Sequence, residues 1–175
     1  MISFLEPCRR RAALLLAALL PALASAAPPL PPINDPPSGE LLHGKFIWFD
    51  LATAELDAQK AFYQDVFGWS YRSPGRAEDA YTLIVNRGRI VGGMFRFDPP
   101  GGEQDGATWA VLLSVADPDA TAATVKTLGG SVEVAPASVA NRGRHALFLD
   151  PGGALFGALR SDSGDPPDAE VPIGG

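Results

Sequence analysis

Residues 46–53 read FIWFDLAT, and residues 108–115 read TWAVLLSV. Trp48 and Trp109 lie 61 positions apart, and the same offset pairs Leu51 with Leu112 and Thr53 with Ser114. It also pairs Gly68 with Gly129, and GGMF at 92–95 with GALF at 153–156. One offset shared across so much chain reads as two copies of one unit, duplicated and fused. Alternate side chains of a strand point to opposite faces. In FIWFDLAT one face carries Ile47, Phe49 and Leu51, and the other carries Phe46, Trp48 and Asp50. A carboxylate among such residues is costly unless it is paired or functional.

Each copy continues in the same order. After the first strand, Glu55 and Asp57 place negative charge where a helix N-terminus favours it. Ala58, Phe62 and Val66 then mark one helical face, and Gly68 stops the helix. After the second, Asp117 is an N-cap with Pro118 at the first helical position. Val125 and Leu128 are expected to face inward before Gly129-Gly130 ends the helix. DAYTLIV and RIVGGMFRF meet across Asn86-Arg87-Gly88, a hairpin composition, and HALFLD meets ALFGAL across residues 150–153. The order is strand, helix, three strands, twice. The expected class is α+β: paired βαβββ modules, at about 44–98 and 107–160, forming a curved mixed sheet around a cleft.

KAFYQDVFGW (60–69), LLSVADPDATAATVKTLGG (112–130) and GRHALFLDPGGALFGAL (143–159) together resemble the vicinal oxygen chelate superfamily, the glyoxalase, bleomycin-resistance and dioxygenase group. The likeness spans nearly all of Gly44–Arg160, and its FY…FGW and DPxGAxFG elements suit a glyoxalase-like branch. It implies the paired-module fold and a cupped site for small molecules. In that family active members hold a divalent metal with His, Gln or Glu from strands of both modules. Carried over, those positions fall on Trp48, Arg96, Gly157 and either Trp109 or Ala110. None is a good ligand, because a borderline metal wants imidazole or thiolate and a hard one wants several oxygens.

The candidate ligand-binding residues are therefore Trp48, Asp50, Arg96 and Trp109, with no metal and no cofactor. The two tryptophans either fill a repeated packing position or form aromatic walls of the cup. Asp50, the one weak catalytic candidate, is either a structural partner or a polar anchor and general base. Arg96 reaches solvent at a strand end, pairs with Asp50 or holds an anion. Only His43 and His145 are present. A lone histidine at a strand start, as His145 is, is more often a surface or hydrogen-bonded residue than a ligand. NRGR occurs at 86–89 and 141–144, where two turns of similar composition are the simpler account. No Walker, Rossmann or nucleophile-elbow pattern is present.

The flanks differ in character. Residues 1–26 carry Arg9, Arg10 and Arg11, an apolar run from Ala12 to Leu23, and Ala24-Ser25-Ala26, which together read as a secretory signal peptide cleaved before Ala27. Retention as a membrane anchor is the weaker alternative, since the run is short and Pro21 interrupts it. Residues 27–43 hold six prolines and read as an extended leader without a core of its own. Residues 161–175, SDSGDPPDAEVPIGG, read as a disordered acidic tail. The full chain carries a net charge of −6, and losing three arginines with Glu6 leaves the remainder at −8. Without a basic cluster, nucleic acid and anionic membrane surfaces are not expected partners. Cys8, the one cysteine, would leave with the signal, which removes disulfide and thiolate chemistry. The expectation is an exported, periplasmic or extracellular, metal-free protein binding a small organic ligand, with no stable membrane insertion and a possible homodimer. The alternatives are a lyase, isomerase or dioxygenase with a non-standard metal site, or a non-catalytic interaction module.

Overall fold

The two stretches that open the repeat lie side by side. In the computed structural model, which describes residues 30–74, 81–97 and 106–168, β1 (Phe46–Thr53) pairs antiparallel with β5 (Thr108–Ser114). Residues 1–26, read from the sequence as a signal peptide, and residues 169–175 of the tail lie outside the described residues. Asp50 stands opposite Ala110, and Leu51 opposite Trp109. A register shift between Phe46 and Trp48 breaks the alternation at the strand's start, which leaves Phe46 at 59% exposure while Trp48 is at 3%.

Around this pair each half builds the expected order. The first half adds α1 (Leu56–Phe67), β2 (Ser70–Arg72), β3 (Thr82–Asn86) and β4 (Arg89–Arg96). The second adds α2 (Pro118–Thr127), β6 (Ser131–Val139), β7 (Gly143–Leu149) and β8 (Leu155–Ser161). The eight strands form one mixed sheet in the order β2-β3-β4-β1-β5-β8-β7-β6. β1–β4 and β5–β8 are its parallel pairs. A parallel pair requires a crossover rather than a tight turn, and each half supplies one that contains its helix.

The local signals act as their chemistry dictates. Asp117 Oδ1 accepts from the main-chain nitrogens of Asp119 (2.8 Å) and Ala120 (3.2 Å), so the first turn of α2 is capped. Gly68 takes φ 69° at the end of α1, and its N–H donates to Gln64 O at 2.8 Å. Both NRGR stretches are turns, with Arg87 and Asn141 at φ 49° and 64°.

Two helix-face expectations need correction. Phe62 and Val66 are 57% and 51% exposed, and Leu128 is 71% exposed. α1 packs instead through Leu56, which is buried, and through Tyr63, which joins Leu51, Ile84, Met94 and Trp109. On α2 the inward residues are Ala122 and Val125, set against Ala146, Phe148 and Ala158. Two layers of helix on sheet thus cover one face of each half.

The opposite face carries the largest core. Trp48, Tyr81, Leu83 and Phe95 of the first half meet Ala110, Leu112, Leu147 and Leu159 of the second. Leu30 joins them at 7% exposure, although it belongs to the proline-rich leader. The packing also continues past Arg160. Ser38 N donates to Ser163 O (2.9 Å), Leu42 N to Asp165 Oδ2 (2.5 Å) and Lys45 Nζ to Pro166 O (2.6 Å). Asp165 is buried at 1% exposure. A leader without core contacts and an uncovered tail differ from this arrangement over residues 30–43 and 161–168. Each supplies the other's hydrogen-bond partners, a pairing that composition alone does not reveal.

Candidate functional site

A cavity of about 60 Å³ lies between the two halves on the face away from the helices. Its apolar wall includes Leu30, Phe95, Leu112 and Leu159, and its polar groups are Trp48, Asp50, Tyr81, Arg142 and His145. β1 places Trp48 and Asp50 two residues apart on one face. Tyr81 precedes β3, Arg142 sits in the turn between β6 and β7, and His145 is on β7.

Three of these groups form one hydrogen-bonded cluster. Trp48 Nε1 donates to Asp50 Oδ1 (2.9 Å) and approaches Tyr81 Oη (3.1 Å). Tyr81 Oη donates to the same Asp50 Oδ1 at 2.5 Å. A glycine makes this approach possible. A Cβ on Gly93, opposite Asp50 on β4, would stand 1.9 Å from Tyr81 Oη and 2.6 Å from Asp50 Oδ1. Tyr81 also stacks on Phe95, with ring centroids 6.3 Å apart.

The charges follow from this enclosure. Burial raises the Asp50 carboxyl above its ordinary range, against the hydrogen bonds from Tyr81 and Trp48 and the positive charge of Arg142. Burial, reinforced by the charge of Asp50, pushes the Tyr81 phenol well above its usual value, so it stays a donor at neutral pH. His145 is lowered to about 4 by burial and by the Arg142 charge, and is neutral at pH 7. The Arg142 guanidinium stacks over the Trp48 ring, 3.9 Å from its centroid. Such a site can hold the polar end of a small molecule against fixed donors and enclose its apolar body.

The four residues singled out from the sequence do not share this cavity. Trp48 and Asp50 line it. Trp109 lies on the other face, donating Nε1–H to Tyr63 Oη at 3.1 Å and packing edge-on to Trp69. The reason is pleat parity: Ala110 and Leu112 point into the cavity, so Trp109, one position before Ala110, points out. Arg96 is exposed at the end of β4, where Nη1 donates to Ala54 O at 2.7 Å. Tyr81, Arg142 and His145 complete the cavity's polar groups. Tyr81 shares strand parity with Leu83, which was readable. Arg142 lies in the second NRGR turn, whose inward fold composition does not announce. His145 faces the cavity rather than the surface.

The positions that resemblance reserves for a metal do not fit a divalent ion. The Trp48 N–H only donates, Gly157 has no side chain, and Ala110, not Trp109, faces the cavity. A Cβ on Gly157 would stand 2.5 Å from Leu112 Cδ2, so a longer ligand there would need repacking. Among the described residues no group of three His, Cys, Asp or Glu side chains converges, and the Arg142 cation already occupies the cavity wall.

One mixed eight-stranded sheet built from two halves, each with its own helix, is the α+β architecture of the glyoxalase-type fold. Residues 45–157 match the model of the Glyoxalase/Bleomycin resistance protein/Dioxygenase superfamily, and the chain belongs to that superfamily. It is 35% identical over 127 residues to the anthracycline biosynthesis protein DauV of Streptomyces sp. (strain C5), covering 65% of this chain and 46% of that one. It is 36% identical over 118 residues to CFP32 of Mycobacterium tuberculosis (strain CDC 1551 / Oshkosh), covering 67% and 44%. The chain spans about half the length of these relatives. The Mn(II)-bound glyoxalase from Novosphingobium aromaticivorans superposes with a TM-score of 0.50 at 24% identity, over 74% of this chain and 43% of that one, a likeness of fold.

Proposed function

We propose that this chain is an exported small-molecule-binding protein that works without a metal. The observation that carries the reading is the cavity between the halves, where an apolar wall ends in the Trp48–Asp50–Tyr81 hydrogen-bonded cluster. The donor set at the resemblance-implied metal positions supports the metal-free part, since indole N–H, glycine and alanine offer an ion nothing. The ordered charged, apolar and small-residue regions of residues 1–26 support export. A possible homodimer belongs to the same reading.

Native mass spectrometry of the protein purified from the exported fraction of its own host tests these parts together. The expected species begins at Ala27, carries well under one divalent ion per chain and releases a small organic molecule on activation. A full-length chain held in the membrane would reject export. One tightly held ion per chain would reject the metal-free reading and favour an enzyme. The subunit number is read from the same spectrum.

A further inference from the structure

Arg142 is 4% exposed, and both of its terminal nitrogens are buried without a hydrogen-bond partner. The turn that carries it is fixed. Arg142 N donates to Val139 O (3.1 Å), Asp162 N donates to Arg142 O (3.2 Å), and Asn141 takes φ 64°. The side chain is therefore directed into the cavity, flat against Trp48. Asp50 shares the cavity, but its Oδ1 is taken by Trp48 and Tyr81. Among the described residues no carboxylate lies within ion-pair distance of Arg142. A buried guanidinium left in this state is costly, and its planar fork matches a carboxylate through two parallel N–H···O bonds.

We propose that Arg142 is the anion-recognition residue of the cavity and that the ligand class is a small carboxylic acid with a compact apolar body. This rests on the small-molecule reading above and specifies it. The carboxylate lies against the terminal nitrogens of Arg142, and its body lies against Phe95, Leu112 and Leu159. Tyr81 and neutral His145 add no competing charge, and Asp50 is held aside by its two donors. The cavity's volume of about 60 Å³ is well below the ~150 Å³ that takes benzene in an engineered core, so acids larger than a few carbons require Leu30 to move.

Matched acids and amides test this on the full chain at pH 7. Propionate, isobutyrate and benzoate are compared with propionamide, isobutyramide and benzamide by calorimetric titration and by thermal shift. The expected result is that at least one acid binds ten-fold or more tighter than its amide, and that Arg142→Gln brings the acid-to-amide affinity ratio close to one. Arg142→Gln should retain cooperative thermal unfolding, so that a lost acid preference is not read from an unfolded chain. Amides binding as well as acids, or acid binding untouched by Arg142→Gln, would overturn the anion proposal and leave the small-molecule reading standing. Neither series binding the parent protein would overturn both.

Discussion

Asp50 Oδ1 accepts from both Trp48 and Tyr81, so the two routes of removing its charge differ in consequence. Asp50→Asn keeps an acceptor oxygen and should cost less than about 1 kcal/mol in urea unfolding. Asp50→Ala leaves the buried Tyr81 O–H without its acceptor and Trp48 Nε1 with only Tyr81 Oη, and should cost about 1–3 kcal/mol. Equal losses in the two variants would show that the shared acceptor does not hold the cluster together. His145 gives a second residue-scale outcome. Its folded pKa of about 4 lies below the ordinary 6.5, so between those values the unfolded chain binds more protons. Its contribution is present above pH 6.5 and is lost as pH falls towards 4. Asp50, with a raised folded pKa, works in the opposite sense, and Tyr81, pushed well above its usual value, keeps its proton in this range. The difference between the parent and His145→Gln isolates the histidine. Relative to the variant, the parent should lose about 1–3 kcal/mol between pH 6.5 and 4, since each pKa unit corresponds to ~1.4 kcal/mol and the residue is not wholly enclosed. Parallel stability curves for the two proteins would refute this.

At the scale of the element, α1 separates apolar spacing from actual burial. Ala58, Phe62 and Val66 recur at four-residue intervals, yet the packed residues are Leu56 and Tyr63, seven apart. Phe62→Ala should therefore change stability by no more than about 0.5 kcal/mol, whereas Leu56→Ala should cost about 2–5 kcal/mol. The reverse order in thermal unfolding would return Phe62 to the core. The helix could be recognised from its spacing and from Gly68, but its roll about its axis could not, because Tyr63 buries a ring while its hydroxyl meets Trp109. The strands were more legible, since period-two runs interrupted by Asn-Arg-Gly or Asp-Pro-Gly-Gly leave few alternatives. The same parity argument explains both halves of the site outcome. Asp50 stood out as a charge in an apolar strand beside Trp48. Trp109 was misplaced because an offset of 61 ignores the one-position choice between it and Ala110, and one position reverses the face. Arg142 was hidden because a hairpin turn normally sends its arginine to water.

For the whole molecule, the leader belongs to the cavity. Leu30 is buried among Trp48, Tyr81 and Phe95, Ile33 packs beside it, and Asn34 and Ser38 are tied to Ser163, Gly164 and Asp165. Cleavage before Ala27 would leave a new terminus three residues from the side chain that closes the cup. Removing residues through His43 should therefore lower the melting temperature, rather than leave unfolding unchanged as a body bounded at 44 and 160 would. Leu30→Ala alone should cost about 2–3 kcal/mol, the scale of exposing one buried leucine and leaving a void. It should also make the cavity easier to reach, because the side chain at its wall is shortened while Arg142 and the Trp48–Asp50–Tyr81 cluster are untouched. Acrylamide quenching is informative here, although Trp69 and Trp109 also emit. In a chain carrying Trp69→Phe and Trp109→Phe, Trp48 is the reporter, and Leu30→Ala should raise its quenching constant several-fold. An unchanged constant together with an unchanged melting temperature would mean that the leader rests on the surface and that the cup stands open in solution.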